Sequence, residues 1–358
     1  MMLTPKTIPV YLQQHKLYSG KEPLKITEIP TNVNRIFRIE TPTQTFILKQ
    51  ALEKLVRFPN IPISLKRIDT EYRAIHQWKK VCQNTHLQSS IPTILHYDQE
   101  NNLVIFKAAP QESTILTNEL LAGVVKIKAV RKLAELLATI HSRTYGNKQV
   151  QKDFSDYIPW IEIKLGFFHS HMLAEEKDAR VRKAIKDLMK RTIANKIALI
   201  HADTNPKNIL VQNEDVLVID HEFSCFGDPA YDVACLLAHY YLSALINYRS
   251  RTQYFQVISK FWKVYEKKVN LPPRLKQRIK RNCIQHFGPI LWGRAFGKAK
   301  VPFLHDKTKR IINEISREIV TGDFTDFNQL FNLAEKYHLN LNFLPPIDIP
   351  RAQQEVTF

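Results

Sequence analysis

Residues 199–237, LIHADTNPKNILVQNEDVLVIDHEFSCFGDPAYDVACLL, hold the densest set of chemically readable side chains in the chain. A short apolar stretch, Ala198 to Ile200, reads as a strand running into His201-x-Asp203. Asn208 follows five residues later, and a second apolar stretch, Val216 to Ile219, delivers Asp220-His221-Glu222. The pattern predicts two adjacent strands whose mouths gather acidic and amide side chains. Phosphoryl transfer from a nucleotide needs that set: one carboxylate accepts the proton of the attacking hydroxyl, and a second, with a side-chain amide, holds the Mg²⁺ that bridges the phosphates. Asp203 suits the first role; Asn208 and Asp220 suit the second. An ordinary turn needs one such residue, not Asp203, Asn205, Asn208 and Asp220 at fixed spacing.

Composition sets the outer limits. At 358 residues, 44% of them hydrophobic, the chain exceeds one ordinary core, so two lobes are expected. Val233 to Ile246 is too short and too polar to span a bilayer, and MMLTPKTIPV lacks a signal-peptide plan, so a soluble, cytoplasmic protein is expected. Cys82, Cys225, Cys235 and Cys283 lie far apart without a CxxC, which points to buried thiols rather than zinc or disulfides. The net charge is +18, and between Arg249 and Arg310 seventeen Lys/Arg face only Glu266 and Asp306. Such a segment either attracts an anionic partner (nucleic acid, a membrane face or phosphorylated small molecules) or is a solvated helical face.

The N-terminal third alternates like an antiparallel sheet. After a short helical lead, strands are predicted at Leu24 to Ile29, Arg35 to Glu40, Phe46 to Gln50, Ile91 to Tyr97 and Leu103 to Phe106. Lys49 stands on the third, and a helix from about Ser64 to Val81 carries Glu71 in its middle, with Ile68, Tyr72, Ile75 and Trp78 at helical spacing. A lysine so placed can pair with nucleotide phosphates and with that glutamate. No glycine occurs between Gly20 and Gly123, so the first hairpin turn would meet phosphates through Asn32 and Asn34, whose amides donate and whose backbones tolerate left-handed geometry. The alternation stops at Lys107, where the linker between lobes 1–107 and 108–358 is placed, and the backbone from Phe106 to Ala109, with Phe106 and Ala108 as the named contacts, can meet an adenine edge. Beyond it the chain reads helical. His141 and the aromatic run Tyr157, Trp160, Phe167, Phe168 and His169 read as core, and Asp232 as the cap of a helix starting at Val233.

With HADTNPKN, VIDHE and GDPAYDVA in place, the chain resembles the aminoglycoside phosphotransferase and choline kinase superfamily, the small-molecule branch of the kinase fold. TNVNRIF, FILKQAL, LKRIDTEYRAI and IPTILHYDQENNLVI, in that order, look like the N-terminal lobe of its methylthioribose kinase branch. The resemblance implies an α+β, two-lobed, protein-kinase-like fold: a five-stranded antiparallel sheet plus helix, then a larger, mainly helical lobe. It implies ATP and Mg²⁺, with Asp203 as base, Asp220 and Glu222 on the metal, Lys49 and Glu71 as the ion pair, Arg294 in substrate recognition, and Asp232 tying down the backbone of the loop that carries Asp203. The family's HGDL is here His201-Ala202-Asp203-Thr204, and its twin arginine is Gly293-Arg294.

The expected function is therefore ATP- and Mg²⁺-dependent transfer to a hydroxyl of a small metabolite, a methylthioribose-like sugar, with a choline- or aminoglycoside-type acceptor as the alternative. Eleven residues between Asp220 and Asp232 are too few for the activation segment of a protein kinase. A catalytically silent nucleotide-binding module with a basic docking face stays open beside it.

Overall fold

A computed structural model describes residues 2–31, 33–56, 60–298, 300–301 and 303–338. Five antiparallel strands open the chain: β1 (Lys25–Ile29), β2 (Asn34–Glu40), β3 (Thr45–Ala51), β4 (Ile94–Asp98) and β5 (Leu103–Lys107), in the order β1-β2-β3-β5-β4. Period-two alternation in β3 sorts its side chains. Phe46 and Leu48 join Phe37, Ile39, Leu103 and Ile105 under the short helix α1 (Ile8–Gln14). The other face, with Ile47, Lys49 and Ala51, turns toward α2 (Arg67–Val81) and the C-terminal part. In α2 the buried positions Arg67, Glu71, Ala74, Ile75 and Trp78 follow a 3.6-residue period, so one apolar stripe is continued at its N-terminal end by two charged residues.

The rest is mainly helical: α3 (Leu116–Leu121), α4 (Ile127–Thr144), α5 (Lys148–Asp153), α6 (His171–Glu175) and α7 (Ala179–Ala194). After the loop region come α8 (Pro229–Ile246), α9 (Arg251–Lys268), α10 (Pro273–Ala295), α11 (Asp306–Thr321) and α12 (Phe327–His338). The four cysteines are buried thiols. Among the described residues no helix is long and apolar enough to cross a membrane.

Three expectations change. First, the strands flanking the central loop do not pair: β7 (Ala198–Ile200) pairs with β10 (Cys225–Gly227), while β9 (Asp215–Val218) forms a hairpin with β8 (Ile209–Gln212), edged by β6 (Thr114–Ile115). Side chains join the two small sheets, through His201 Nε2 and the Ile219 carbonyl at 3.1 Å. Second, α8 starts at Pro229 and is capped by Asp228, whose carboxylate accepts from the Ala230 N–H at 2.9 Å. Proline at the first position suits that start, which frees Asp232 for another role. Third, residues 160–170 form a π-helix, not an α-helix. The basic segment is also less lopsided than its sequence, because Lys268, Lys280 and Arg281 pair with Glu135, Asp326 and Asp323 from outside it.

A buried histidine pair locks the π-helix to α10. Thr192 Oγ1 donates to the Leu188 carbonyl (2.8 Å) and so accepts from His286 Nε2 (3.1 Å); His286 Nδ1 then accepts from His169 Nε2 (2.7 Å). His286, with one donating and one accepting nitrogen, is therefore neutral, and His169 Nδ1 is buried with no hydrogen-bond partner among the described residues. Burial pushes His169 down to about 3 and His286 well below its ordinary value. Folded values below the unfolded one mean that the unfolded chain takes up protons first on acidification. Stability is complete above about pH 6.5 and falls with pH below it, by up to about 1.4 kcal/mol per pH unit for each ring. Urea denaturation of His169→Gln should show a shallower loss between pH 6.5 and 5 than the wild type; equal slopes would exclude the pair as the cause.

Candidate active site

Lys49 sits where β3 faces α2 and the loop after β9. Its ammonium lies 2.7 Å from Glu71 Oε2, 2.5 Å from Asp220 Oδ1 and 3.3 Å from Glu222 Oε2. One cation shared by three carboxylates leaves the group short of positive charge, and burial sharpens the imbalance. Burial opposes the Lys49 charge, but Asp220, Glu222 and Glu71 outweigh it and raise the lysine. Burial, with Asp220 and Glu222 beside it, raises Glu71 despite the lysine. Desolvation works against the charge of Asp220, whose side chain is 23% exposed, but Lys49, Lys207 and Lys164 hold the carboxylate low.

Arg67, which sequence reading missed, supplies the second cation. Its guanidinium is 1% exposed and donates to Glu222 Oε2 at 2.7 Å, Asn34 Oδ1 at 2.6 Å and the carbonyls of Val33 and Leu52. Spacing held a signal: Arg67 precedes Glu71 by four residues, one turn along the same helical face. Asn34 Nδ2 donates to Glu222 Oε2 at 2.9 Å. Both ends of its amide are thus engaged within the protein, although the residue lines the cavity. Asn32 lies outside the described residues.

Asp232 holds the loop after β7. Its carboxylate accepts the backbone N–H groups of His201 and Ala202, both at 2.8 Å, and its carbonyl accepts Thr204 Oγ1 at 2.6 Å. This lets Ala202 keep φ 65°, a left-handed conformation that favours glycine, and Asp220 adopts φ 69°. Asp203, 3% exposed, is reached at Oδ2 by Lys164 Nζ (2.5 Å) and Asn208 Nδ2 (2.8 Å), with Lys207 at 3.9 Å. Burial works against its charge, but Lys164 and Lys207 keep the carboxylate below its ordinary range. Lys164 also escaped the sequence reading, because its π-helix breaks the 3.6-residue period by which a helical face is recognised.

A cavity of about 390 Å³ opens between these groups, lined on its polar side by Lys49, Glu71, Lys207, Asn208, Asp220 and Glu222. Phe106 and Ala108 line it too, at the end of β5. Arg294 does not; its Nε donates to His239 Nε2 at 2.8 Å, and its guanidinium lies 5.5 Å from the Phe168 ring centroid. Burial, then Arg294, pushes His239 down to about 3, so the ring is the neutral acceptor this bond requires.

The donor set fits a hard divalent cation. Carboxylate oxygens of Glu71, Asp220 and Glu222 lie within 4.8 Å of one another. Glu222 Oε1 is buried with no hydrogen-bond partner among the described residues, and Asn208 uses Nδ2 on Asp203, leaving a carbonyl oxygen of the kind such ions take. Arg67→Met would strip a buried carboxylate of its shortest cation contact. It should cost about 3 kcal/mol or more in urea denaturation; a loss under about 1 kcal/mol would show that Lys49 alone suffices.

The model of the phosphotransferase enzyme family matches residues 25–256. A methylthioribose kinase from Exiguobacterium sibiricum is 26% identical over 276 residues, covering 68% of either chain. One from Bacillus cereus is 22% identical, covering 86% of this chain and 88% of its own. Among solved structures, an amicoumacin kinase in complex with AMP-PNP, Ca²⁺ and Ami superposes with a TM-score of 0.55 at 14% identity, over 91% of this chain and 100% of its own. A choline/ethanolamine kinase family protein from Mesorhizobium loti gives 0.52 at 13% identity, over 94% and 100%. The fold is thus the two-lobed kinase-like fold, and with the family model spanning well over half of its length, this chain belongs to the phosphotransferase enzyme family and is a small-molecule kinase.

Proposed function

We propose that the protein transfers the γ-phosphoryl group of ATP, with Mg²⁺, to a hydroxyl of a small metabolite, most simply a sugar. The observation that carries this reading is one cavity with a cation-ready acidic cluster around Lys49 in its wall and, also in that wall, Asn208, whose amide donates to the buried carboxylate of Asp203 at 2.8 Å. The methylthioribose kinases similar to this chain support a sugar acceptor. The short path from Asp220 to the start of α8 at Pro229 favours a small acceptor over a peptide. Asp220, Glu222 and Asn208 would hold the metal, which would supply positive charge against the phosphates. The lobe boundary belongs, in this reading, between residues 107 and 108.

The chemistry then follows from the chain's own groups. Adenine takes the apolar end of the cavity beside Phe106 and Ala108, and Lys49 and Lys207 face the phosphates. Asp203 accepts the hydrogen bond of the acceptor hydroxyl. As the acceptor oxygen bonds to the γ-phosphorus, the bond from that phosphorus to the β,γ-bridging oxygen breaks, ADP leaves, and the hydroxyl proton passes to Asp203. A carboxylate held below its ordinary range is a weak base, suited to a late proton transfer in a loose transition state. Arg294, by resemblance, serves the acceptor.

Two outcomes check this reading. Asp203→Asn should lower kcat about a hundredfold or more while the thermal shift given by a non-hydrolysable ATP analogue persists; undiminished turnover on a panel of sugars would remove Asp203 from the chemistry. Chelation with EDTA should abolish transfer and added Mg²⁺ restore it, whereas metal-independent turnover would overturn the role given to Asp220 and Glu222.

A further inference from the structure

Asp203 offers two oxygens, and the protein treats them differently. Oδ2 takes Lys164 Nζ at 2.5 Å and Asn208 Nδ2 at 2.8 Å; no hydrogen bond from the described residues reaches Oδ1. A carboxylate torsion is broad and roughly two-fold, so an aspartate without such anchors would present either oxygen at a range of angles. Two donors on one atom remove that freedom.

Lys164 is built for this contact. Its flanking residues Ile163 and Leu165 are buried with Trp160, Ile200, Ala202 and Phe223, beside the loop that carries Asp203. Its ammonium lies 4.1 Å from the Phe223 ring centroid, and the side chain is only 12% exposed. Lys207, the other cation near Asp203, lines the nucleotide cavity; Lys164 does not. The two lysines therefore approach the carboxylate from different surroundings, and Lys164 has no place among the groups that face the phosphates.

We propose that Lys164 is a positioning residue for the phosphotransfer reaction: by holding Asp203 Oδ2, it presents Oδ1 to the acceptor hydroxyl. This inference rests on the function proposed above. A small misplacement of a reacting group lowers rate without weakening binding, because only the alignment in the transition state is lost.

A double-mutant cycle tests it, using the full-length protein, ATP with Mg²⁺, and any sugar that the wild type phosphorylates. Lys164→Met should lower kcat about 10- to 100-fold and leave both KM values within about twofold. Lys164→Arg should recover part of the loss. In the Asp203→Asn background Lys164→Met should cost nothing more, since a residue acting through Asp203 has nothing left to position. Lys164→Gln, which keeps the stem and a neutral donor, replaces the Met variant if circular dichroism shows that one unfolded. Additive losses, or a rise in acceptor KM at unchanged kcat, overturn the positioning role and make Lys164 a direct contact. If no sugar is phosphorylated, the same cycle is read on hydrolysis of bound ATP by water; non-additivity there supports the role of Lys164 while the acceptor class falls. A wild type without transfer or hydrolysis overturns both.

Discussion

Everything at the site depends on one buried charge cluster that closes over a long sequence separation. Lys49 and Glu71 come from β3 and α2, Arg67 from the first turn of α2, and Asp220 and Glu222 from the loop after β9, about 150 residues further on. Taking Lys49, Arg67, Glu71 and Glu222 out of water, and Asp220 partly so, is expensive, and their attractions repay it only if every partner arrives. The cluster therefore works as an assembly condition: both parts of the chain must be folded and apposed before any one charge is satisfied. It also leaves an acidic excess, three carboxylates on two cations, and that excess prepares the site for a further cation.

A second constraint fixes the loop that carries Asp203. Asp232, fully buried on α8, receives two consecutive backbone N–H groups and is itself backed by His141, which lies 3.3 Å away and bonds to Tyr265 at 2.9 Å. A carboxylate under two N–H donors holds a backbone more firmly than a turn held by its own residues. That hold accounts for a non-glycine residue, Ala202, in the left-handed region one step before Asp203. The sequence-level departure from glycine at this position and the strength of the Asp232 anchor are two sides of one arrangement.

The turn after β1 solves a related problem differently. A glycine-rich turn would bring backbone N–H groups close to phosphates. Here Arg67 grips the turn from below through the Val33 carbonyl and the Asn34 amide and ties both to Glu222. The turn is thereby coupled to the acidic cluster, because the same guanidinium holds Val33, Asn34 and Glu222.

Much of this was readable along the chain. The five strands and α2 follow from local periodicity, and period two by itself put Lys49 on the face opposite Leu48. Asp203, Asn208 and Asp220 stood out because the roles proposed for them need particular side chains at short spacing, and short spacing survives without tertiary information. What the tertiary structure decided are matters of partnership. Arg67 and Lys164 look like surface cations in sequence; in space Arg67 is buried and Lys164 is largely so. Asn34 reads as a phosphate donor until Glu222 and Arg67 engage both ends of its amide. Of the two readings of Asp232, helix cap and tie on the loop backbone, only the second stands once Asp228 takes the cap, and β7 and β9 read as neighbours until each finds another strand. The physical reason is the same in each case: residue type and period depend on a few neighbours along the chain, whereas the partner of a buried charge depends on which distant atom packing brings within 3 Å.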